Sequence, residues 1–357
     1  MRTTPVDIPL EVQFLIIESV RLLSQHASVD DTTLRACALV CRKWTRIAQR
    51  MLFRRLRPHT AALPRLLRTL RASPHLAEHV FSIILHIQPL PAGRPPTAPS
   101  ANREFQLLKR CKYVRAISID TSSSTGSPEP TREWWSNTLL ERMQALPLRP
   151  KFLSLSCSPA FAQRLARLWP SVRALEMHAQ PNGNYTRVTA PNGLESLSLS
   201  TPLDPENDLS ALRRLELELA PAHVHGVWHQ LAQAGALPQL RVLVLADGLP
   251  PPDVLSQFAQ LKSLVFGRQP LEPVALPPRL EHVGYHCRVT EPLADAGCMF
   301  AALRALPDLQ LFTVTGRLPP ATLVVLEDMC RDCGVDFSVY EDLDECPRLR
   351  HVDWIQV

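Results

Sequence analysis

One six-residue pattern, apolar-x-x-apolar-x-apolar, returns along most of this chain and limits the folds open to it. It is clearest as Leu194-Glu195-Ser196-Leu197-Ser198-Leu199, Leu212-Arg213-Arg214-Leu215-Glu216-Leu217 and Leu240-Arg241-Val242-Leu243-Val244-Leu245. Looser copies begin at Val80, Val114, Pro150, Val172, Leu261, Leu280 and Leu309, and Leu349 begins a last candidate. Alternation with period two marks a strand that buries one face. From 150 to 309 successive copies start 22, 22, 18, 28, 21, 19 and 29 residues apart. A leucine-rich repeat has one strand per roughly 20–29 residues. That interval is short for the strand–helix–strand crossovers of an ordinary parallel α/β domain.

A unit of this size buries its apolar face only against its neighbours, so the copies must stack. The segments 161–169, 224–234 and 321–330 space their apolar residues like helices and are expected to form the outer layer, with strands on a concave face. Pro170, Pro238, Pro307 and Pro319 punctuate them, and the 34 prolines of the chain fall mostly between short apolar runs. The asparagine that usually follows the strand is missing; Ser200-Thr201 and Glu218-Leu219 occupy that zone. Segments 88–102, rich in Pro, Ala and Arg, and 120–131, rich in Ser, Thr and Pro, read as loops between early repeats.

The first sixty residues follow a different period. Val12, Leu15, Ile16 and Ser19 recur at helical spacing after Pro9, with Leu22 and Leu23 following and Glu11 in the favourable first turn. A polar break covers 26–31. Asp30 or Asp31 then caps a second helix whose apolar stripe is Leu34, Cys37, Ala38, Cys41, Trp44 and Ala48. A third helical segment, 47–56, carries Met51, Leu52 and Phe53. Three short helices bury little surface by themselves. Patterning leaves two uses open, docking a partner or capping the domain behind.

These residues resemble an F-box, the helical module that docks a protein onto the Skp1 subunit of a cullin-type ubiquitin ligase. Ile8-Pro9-Leu10-Glu11-Val12 matches its opening, Ile16-Ile17 its middle pair, Leu34 its following leucine and Val40-Cys41-Arg42-Lys43-Trp44 its closing motif. The 22–31 connection is several residues longer than usual, a small cost for a loop. The resemblance implies Skp1 contacts at Pro9, Leu10, Val12, Ile16, Leu34, Val40, Cys41 and Trp44. The repeats are similar to the irregular leucine-rich repeats common behind F-boxes, especially in fungal proteins. The implied fold is a short all-α F-box-like module at 1–60, then an α/β leucine-rich-repeat solenoid at 61–357. The implied function is a substrate-recognition adaptor of an SCF ligase: Skp1, and through it a cullin-RING ligase, at one end and an unknown protein substrate on the repeats. The alternative is a non-catalytic repeat scaffold, or a Skp1-binding protein without ligase function. Substrate contacts are expected at outward strand positions, chiefly Glu195, Ser198, Arg213, Arg214, Glu216, Arg241, Lys262, Glu281 and His282, with Ser196 and Ser263 beside them.

Little in the sequence speaks for chemistry. Twelve glycines leave scant material for a phosphate-cradling loop, and no Gly-x-Ser-x-Gly elbow occurs. Cys330-x2-Cys333-x12-Cys346-x4-His351 has formal zinc-ligand spacing, but Cys330 sits on an apolar helical face and packing is the simpler reading. His223, His225 and His229 lack the glutamate of a His-Glu-x-x-His motif. Cys37 and Cys41 have no companion ligands nearby. No catalytic residue, metal or cofactor is therefore expected. Residues 1–71 carry 13 Lys/Arg against 5 Asp/Glu, and residues 321–357 carry 3 against 9. The basic end lacks the interleaved aromatics of a nucleic-acid surface. No apolar run is long enough to span a bilayer, the start lacks signal-peptide character, and nine scattered cysteines fit a reducing compartment. No nucleic-acid or membrane partner is expected, and the place of action is expected to be cytoplasm, nucleus or both.

Overall fold

The computed structural model describes residues 9, 12–13, 15–16, 31–59, 61–86, 99–121, 140–157, 159–178, 190–200, 207–219, 221–246, 249–267, 276–287, 304–316 and 318–340. The chain is an N-terminal helical segment followed by repeating α/β units, a leucine-rich-repeat-like solenoid. It divides into two compact units, Met1–Pro150 and Lys151–Val357. The 60/61 boundary of the sequence reading thus falls inside the first unit.

The first unit holds helices α1 (Asp31–Val40), α2 (Arg42–Arg54), α3 (Leu63–Ala72), α4 (Pro74–Glu78) and α5 (Pro99–Arg110), and parallel strands β1 (Arg55–Leu56), β2 (Ser82–His86) and β3 (Ala116–Asp120). The helical boundaries correct the sequence reading. A single helix was expected across 34–48, but the chain breaks at Cys41, whose backbone is extended at φ −160° and ψ 165°. The helix then runs unbroken through Ile47 to Arg54, where a separate third segment was expected. Thr45 explains the corner: its single hydroxyl hydrogen is shared between the Ala38 carbonyl, 2.6 Å away, and the Cys41 carbonyl, 2.9 Å away. Leu34, Ile47 and Met51 form the core between α1 and α2, with Trp44 and Leu52 packed against it.

Among its described residues the second unit contains nine parallel strands in sequence order: β4 (Phe152–Ser156), β5 (Ala174–His178), β6 (Ser196–Leu199), β7 (Arg214–Leu217), β8 (Val242–Leu245), β9 (Ser263–Phe266), β10 (His282–His286), β11 (Leu311–Thr315) and β12 (Asp336–Tyr340). Register aligns the repeats residue for residue. Leu153, Leu175, Leu197, Leu215, Leu243, Leu264, Val283 and Phe312 make one buried ladder. Leu155, Met177, Leu199, Leu217, Leu245, Phe266, Tyr285 and Val314 make a second. Each fully buried leucine contributes about 1.5–3 kcal/mol. The ladders hold neighbours together because no repeat can bury these positions alone.

The backbone turns into β5 through β11 in the same way. The Arg173 carbonyl accepts from the N–H groups of Glu195 at 2.8 Å and Ser196 at 3.1 Å. The Glu195 carbonyl accepts from Arg213 at 2.9 Å and Arg214 at 3.0 Å, and the Arg213 carbonyl from Arg241 at 2.7 Å and Val242 at 3.1 Å. Each such carbonyl uses both lone pairs and so pairs two backbone N–H groups at the turn. Among the described residues no asparagine ladder lines the strand ends, but Asn207 Oδ1 accepts the Ala190 N–H at 2.6 Å.

Helices α6 (Pro159–Leu168), α7 (Pro221–Gln233), α8 (Pro252–Leu255) and α9 (Pro320–Asp332) lie between strands in sequence. Each begins at a proline, where the missing N–H costs nothing. Their apolar faces are buried at Phe161 and Leu165 on α6, Trp228 and Leu231 on α7, and Leu326 and Cys330 on α9. Trp228 meets Phe258 edge to face at 6.4 Å, locking one repeat to the next.

Ten strands fall on the ten recurrent motifs between 80 and 314, each motif opening two residues before its strand. Two strands have no such motif, β1 and β12. The repeat candidate at Leu349 lies outside the described residues, as do segments 88–98 and 122–131.

Candidate functional site

Two surfaces hold the residues singled out from the sequence. On the first, the corner between α1 and α2 lifts apolar side chains into solvent. Leu39 is 87 % exposed and Val40 is 64 % exposed, with Cys41 open beside them. Pro9, Val12 and Ile16 are also exposed, whereas Leu10 lies outside the described residues. Leu34 points the other way, 2 % exposed in the α1–α2 core, and Trp44 is half-buried against that core. The expected docking residues therefore divide into an exposed set and two that build the module. Leu15 and Leu39 are exposed apolar residues that the motif comparison missed. Leu39 falls off the apolar stripe of α1, and an off-stripe leucine beside a helix break was the available signal.

Charge on this module is one-sided. Positions 32–77 contain eleven Lys/Arg and no Asp/Glu. Burial, then the positive charges of Arg50 and His75, hold His79 below the usual imidazole range.

The second surface is the sheet face opposite the leucine ladders in the second unit. Arg213, Arg241 and Lys262 stand exposed at the strand entries; Glu195 and Glu281 are half-buried there, and Lys262 Nζ reaches Glu281 Oε1 at 2.6 Å. Exposure was expected at every outward strand position, and three of the nine differ. Ser198, Arg214 and His282 are buried, as are the adjoining Ser196 and Ser263. Strands roughly 4.8 Å apart bring outward side chains into contact, so small residues between larger ones are covered. Arg214 Nη2 donates to Glu216 Oε2 at 3.2 Å. His282 bridges three strands, with Nδ1 2.7 Å from the Ser263 hydroxyl and Nε2 2.8 Å from the Thr313 hydroxyl. Toward β8 and β9 the same face turns apolar, where Val244 and Val265 are buried with Val242 and Tyr340 against them.

His178 forms an ion pair with Glu176 at 2.9 Å. That hydrogen bond raises the imidazole above its usual range; burial opposes the shift, and the charges of Glu176, Glu218 and Glu216 add to it. Glu176 and His178, two residues apart on β5, were not among the sequence candidates; Glu216 was, but its approach to them depends on strand register across β6.

Among the described residues, no group of three or more His, Cys, Asp or Glu is placed to hold a metal. Cys330 is buried in α9, its thiol pushed up to about 11 by burial and by Cys333; Cys346 and His351 lie outside the described residues. His229 is exposed on α7. No helix among the described residues is long and apolar enough to cross a membrane.

No family model matches the chain, and no curated protein matches it. Among solved structures, the crystal structure of human 5T4 (Wnt-activated inhibitory factor 1, trophoblast glycoprotein) is similar over 78 % of this chain and 86 % of that one, at 17 % identity and a TM-score of 0.23. At that score the likeness carries no argument, and the fold assignment rests on the strand ladder itself.

Proposed function

We propose that this chain is a non-catalytic substrate-recognition adaptor of a cullin-type (SCF) ubiquitin ligase, working in the cytoplasm or nucleus. The helical module docks on Skp1, and the repeat face holds a protein target. Such an adaptor breaks no bond itself; it raises the effective concentration of a target lysine near activated ubiquitin. One observation carries the reading. The helix corner at the closing Val40-Cys41-Arg42-Lys43-Trp44 motif presents Val40 and Cys41 to solvent, with Leu39 beside them. Apolar side chains clustered at an exposed corner favour a protein contact. The surrounding excess of arginine favours a partner whose rim is acidic, and such a contact weakens with added salt.

Co-purification with Skp1 tests the reading. Wild type is compared with Leu39→Asp, Val40→Asp and Pro9→Ala. Trp44→Ala is a poorer probe, since Trp44 packs on the module's own core. Wild-type association that is lost in the two aspartate variants is the expected result. Absence of wild-type association, under conditions where a known adaptor binds, overturns the proposal and leaves the repeat scaffold without ligase function.

A further inference from the structure

On the sheet face opposite the leucine ladders, β6 offers only serines: Ser196 and Ser198, with Ser200 just beyond the strand. The strands on either side carry ionisable groups in register. Glu176, Ser198 and Glu216 align across β5, β6 and β7, and Ser196 aligns with Arg214. Glu176 and Glu216 are thus two strands apart, roughly 10 Å, with only a hydroxymethyl group between. Glu176 is engaged by His178 at 2.9 Å and Glu216 by Arg214 at 3.2 Å.

A second observation is independent of the carboxylates. Ser196 is fully buried and its hydroxyl has no hydrogen-bond partner. Arg214 is 7 % exposed and its Nε has none either. Buried donors are almost always paired, so two adjacent unpaired ones on one face point to an acceptor that arrives from outside.

We propose that this serine row is a recognition site for a lysine or arginine residue in an extended segment of a protein partner. The ligand's cation sits over Ser198 between Glu176 and Glu216. There it takes over Glu216 from Arg214. The released guanidinium and the Ser196 hydroxyl then donate to the ligand's main-chain carbonyl. Ser196 and Ser198 are two residues apart on one strand, roughly 6.6 Å, which suits the reach of an extended lysine side chain from its own backbone. The exchange keeps each carboxylate paired throughout, which limits its cost in a partly buried setting. An acidic peptide or a phosphate backbone meets carboxylates on both sides and is rejected.

This inference rests on the reading of the repeats as a protein-binding face, and its test separates the two. The full chain is titrated by fluorescence anisotropy with terminally blocked decapeptide pools in which the central residue is fixed as Lys, Arg, Leu or Glu. The Lys and Arg pools are expected to bind at least about tenfold tighter than the Leu and Glu pools. That preference is expected to vanish in Glu176→Gln/Glu216→Gln. Ser198→Arg, which supplies the cation from within, is expected to lose it too. Each variant is required to melt with the wild type, which removes misfolding as an explanation. Equal binding of all pools, or a preference that survives in either variant, overturns the site. Skp1 association measured on the same preparations stays intact in that event if only the site, and not the adaptor reading, is wrong.

Discussion

Gly284 lies directly beneath Thr313: a Cβ built on the glycine would stand 2.9 Å from the threonine Oγ1 and 2.7 Å from Val265 Cγ2. The bare backbone of β10 lets Thr313 close over it, with its Oγ1 2.8 Å from His282 Nε2. Both sit on the outward face, so this stretch of the sheet is packed on its two sides. Gly284→Ala is expected to force the strands apart and weaken the Ser263–His282–Thr313 bridge, with a loss of about 1–3 kcal/mol. Urea unfolding read by circular dichroism measures it. An unchanged midpoint would show that Val265 and Thr313 yield freely.

The corner between α1 and α2 makes opposite forecasts for neighbouring residues. Leu34 is buried, and Leu34→Ala is expected to cost about 2–5 kcal/mol through the cavity it leaves. Leu39→Asp, five residues on, changes an 87 % exposed side chain and is expected to shift stability by no more than about 0.5 kcal/mol. Under the adaptor reading Leu39→Asp is the variant that abolishes Skp1 association. Thermal melts and co-purification on the same two variants distinguish structure from docking. A large stability loss in Leu39→Asp would place that leucine in the core.

Cysteine chemistry separates along the chain. Burial pushes the Cys111 thiol up to about 12 and the Cys330 thiol up to about 11. Both are neutral thiols at ordinary pH, poor nucleophiles and poor metal ligands. Cys41 is exposed at the helix corner. Brief iodoacetamide treatment of the folded protein at pH 8, read by peptide mass spectrometry, is expected to modify Cys41 while sparing Cys111 and Cys330. Early labelling of Cys330 would speak for a more open α9 and would revive a role beside Cys333.

The repeats were legible because the alternation of Leu197 and Leu199, or Leu215 and Leu217, is set by burial, and the stacking constraint repeats it ten times. β12 was missed because its leading positions, Val335, Asp336 and Phe337, break the leucine pattern. It is the last of the described strands, and Asp336 is exposed. The Cys41 break was missed for another reason. Leu34, Cys37, Cys41 and Trp44 keep helical spacing across it, and the Thr45 hydroxyl that stabilises the corner leaves no mark on an apolar stripe. Burial of Ser198, Arg214 and His282 depends on side chains from adjacent strands. Local alternation names the face a residue takes, but register between repeats decides how far neighbours cover it. The facing of Glu176 and Glu216 across Ser198 became visible only with that register in place.

The pairing of His178 with Glu176 also makes stability depend on pH. The hydrogen bond that the ring donates to Glu176 raises the folded imidazole above the unfolded value of about 6.5. Burial lowers it in part, and the charges of Glu176 itself, Glu218 just beyond β7 and Glu216 on β7 add to the rise. A raised folded value means that folding favours the protonated ring. The contribution is therefore fully present below the unfolded value and is lost as pH climbs through the folded one. The stability difference between wild type and His178→Gln is expected to be largest near pH 5.5 and to shrink by pH 8.5. Urea unfolding at stepped pH reads that difference. An NMR titration of the His178 ring gives the direct measure, with a midpoint above that of a free imidazole. The midpoint falls in Glu176→Gln if the hydrogen bond is the main cause, and it stays raised if the β7 carboxylates dominate.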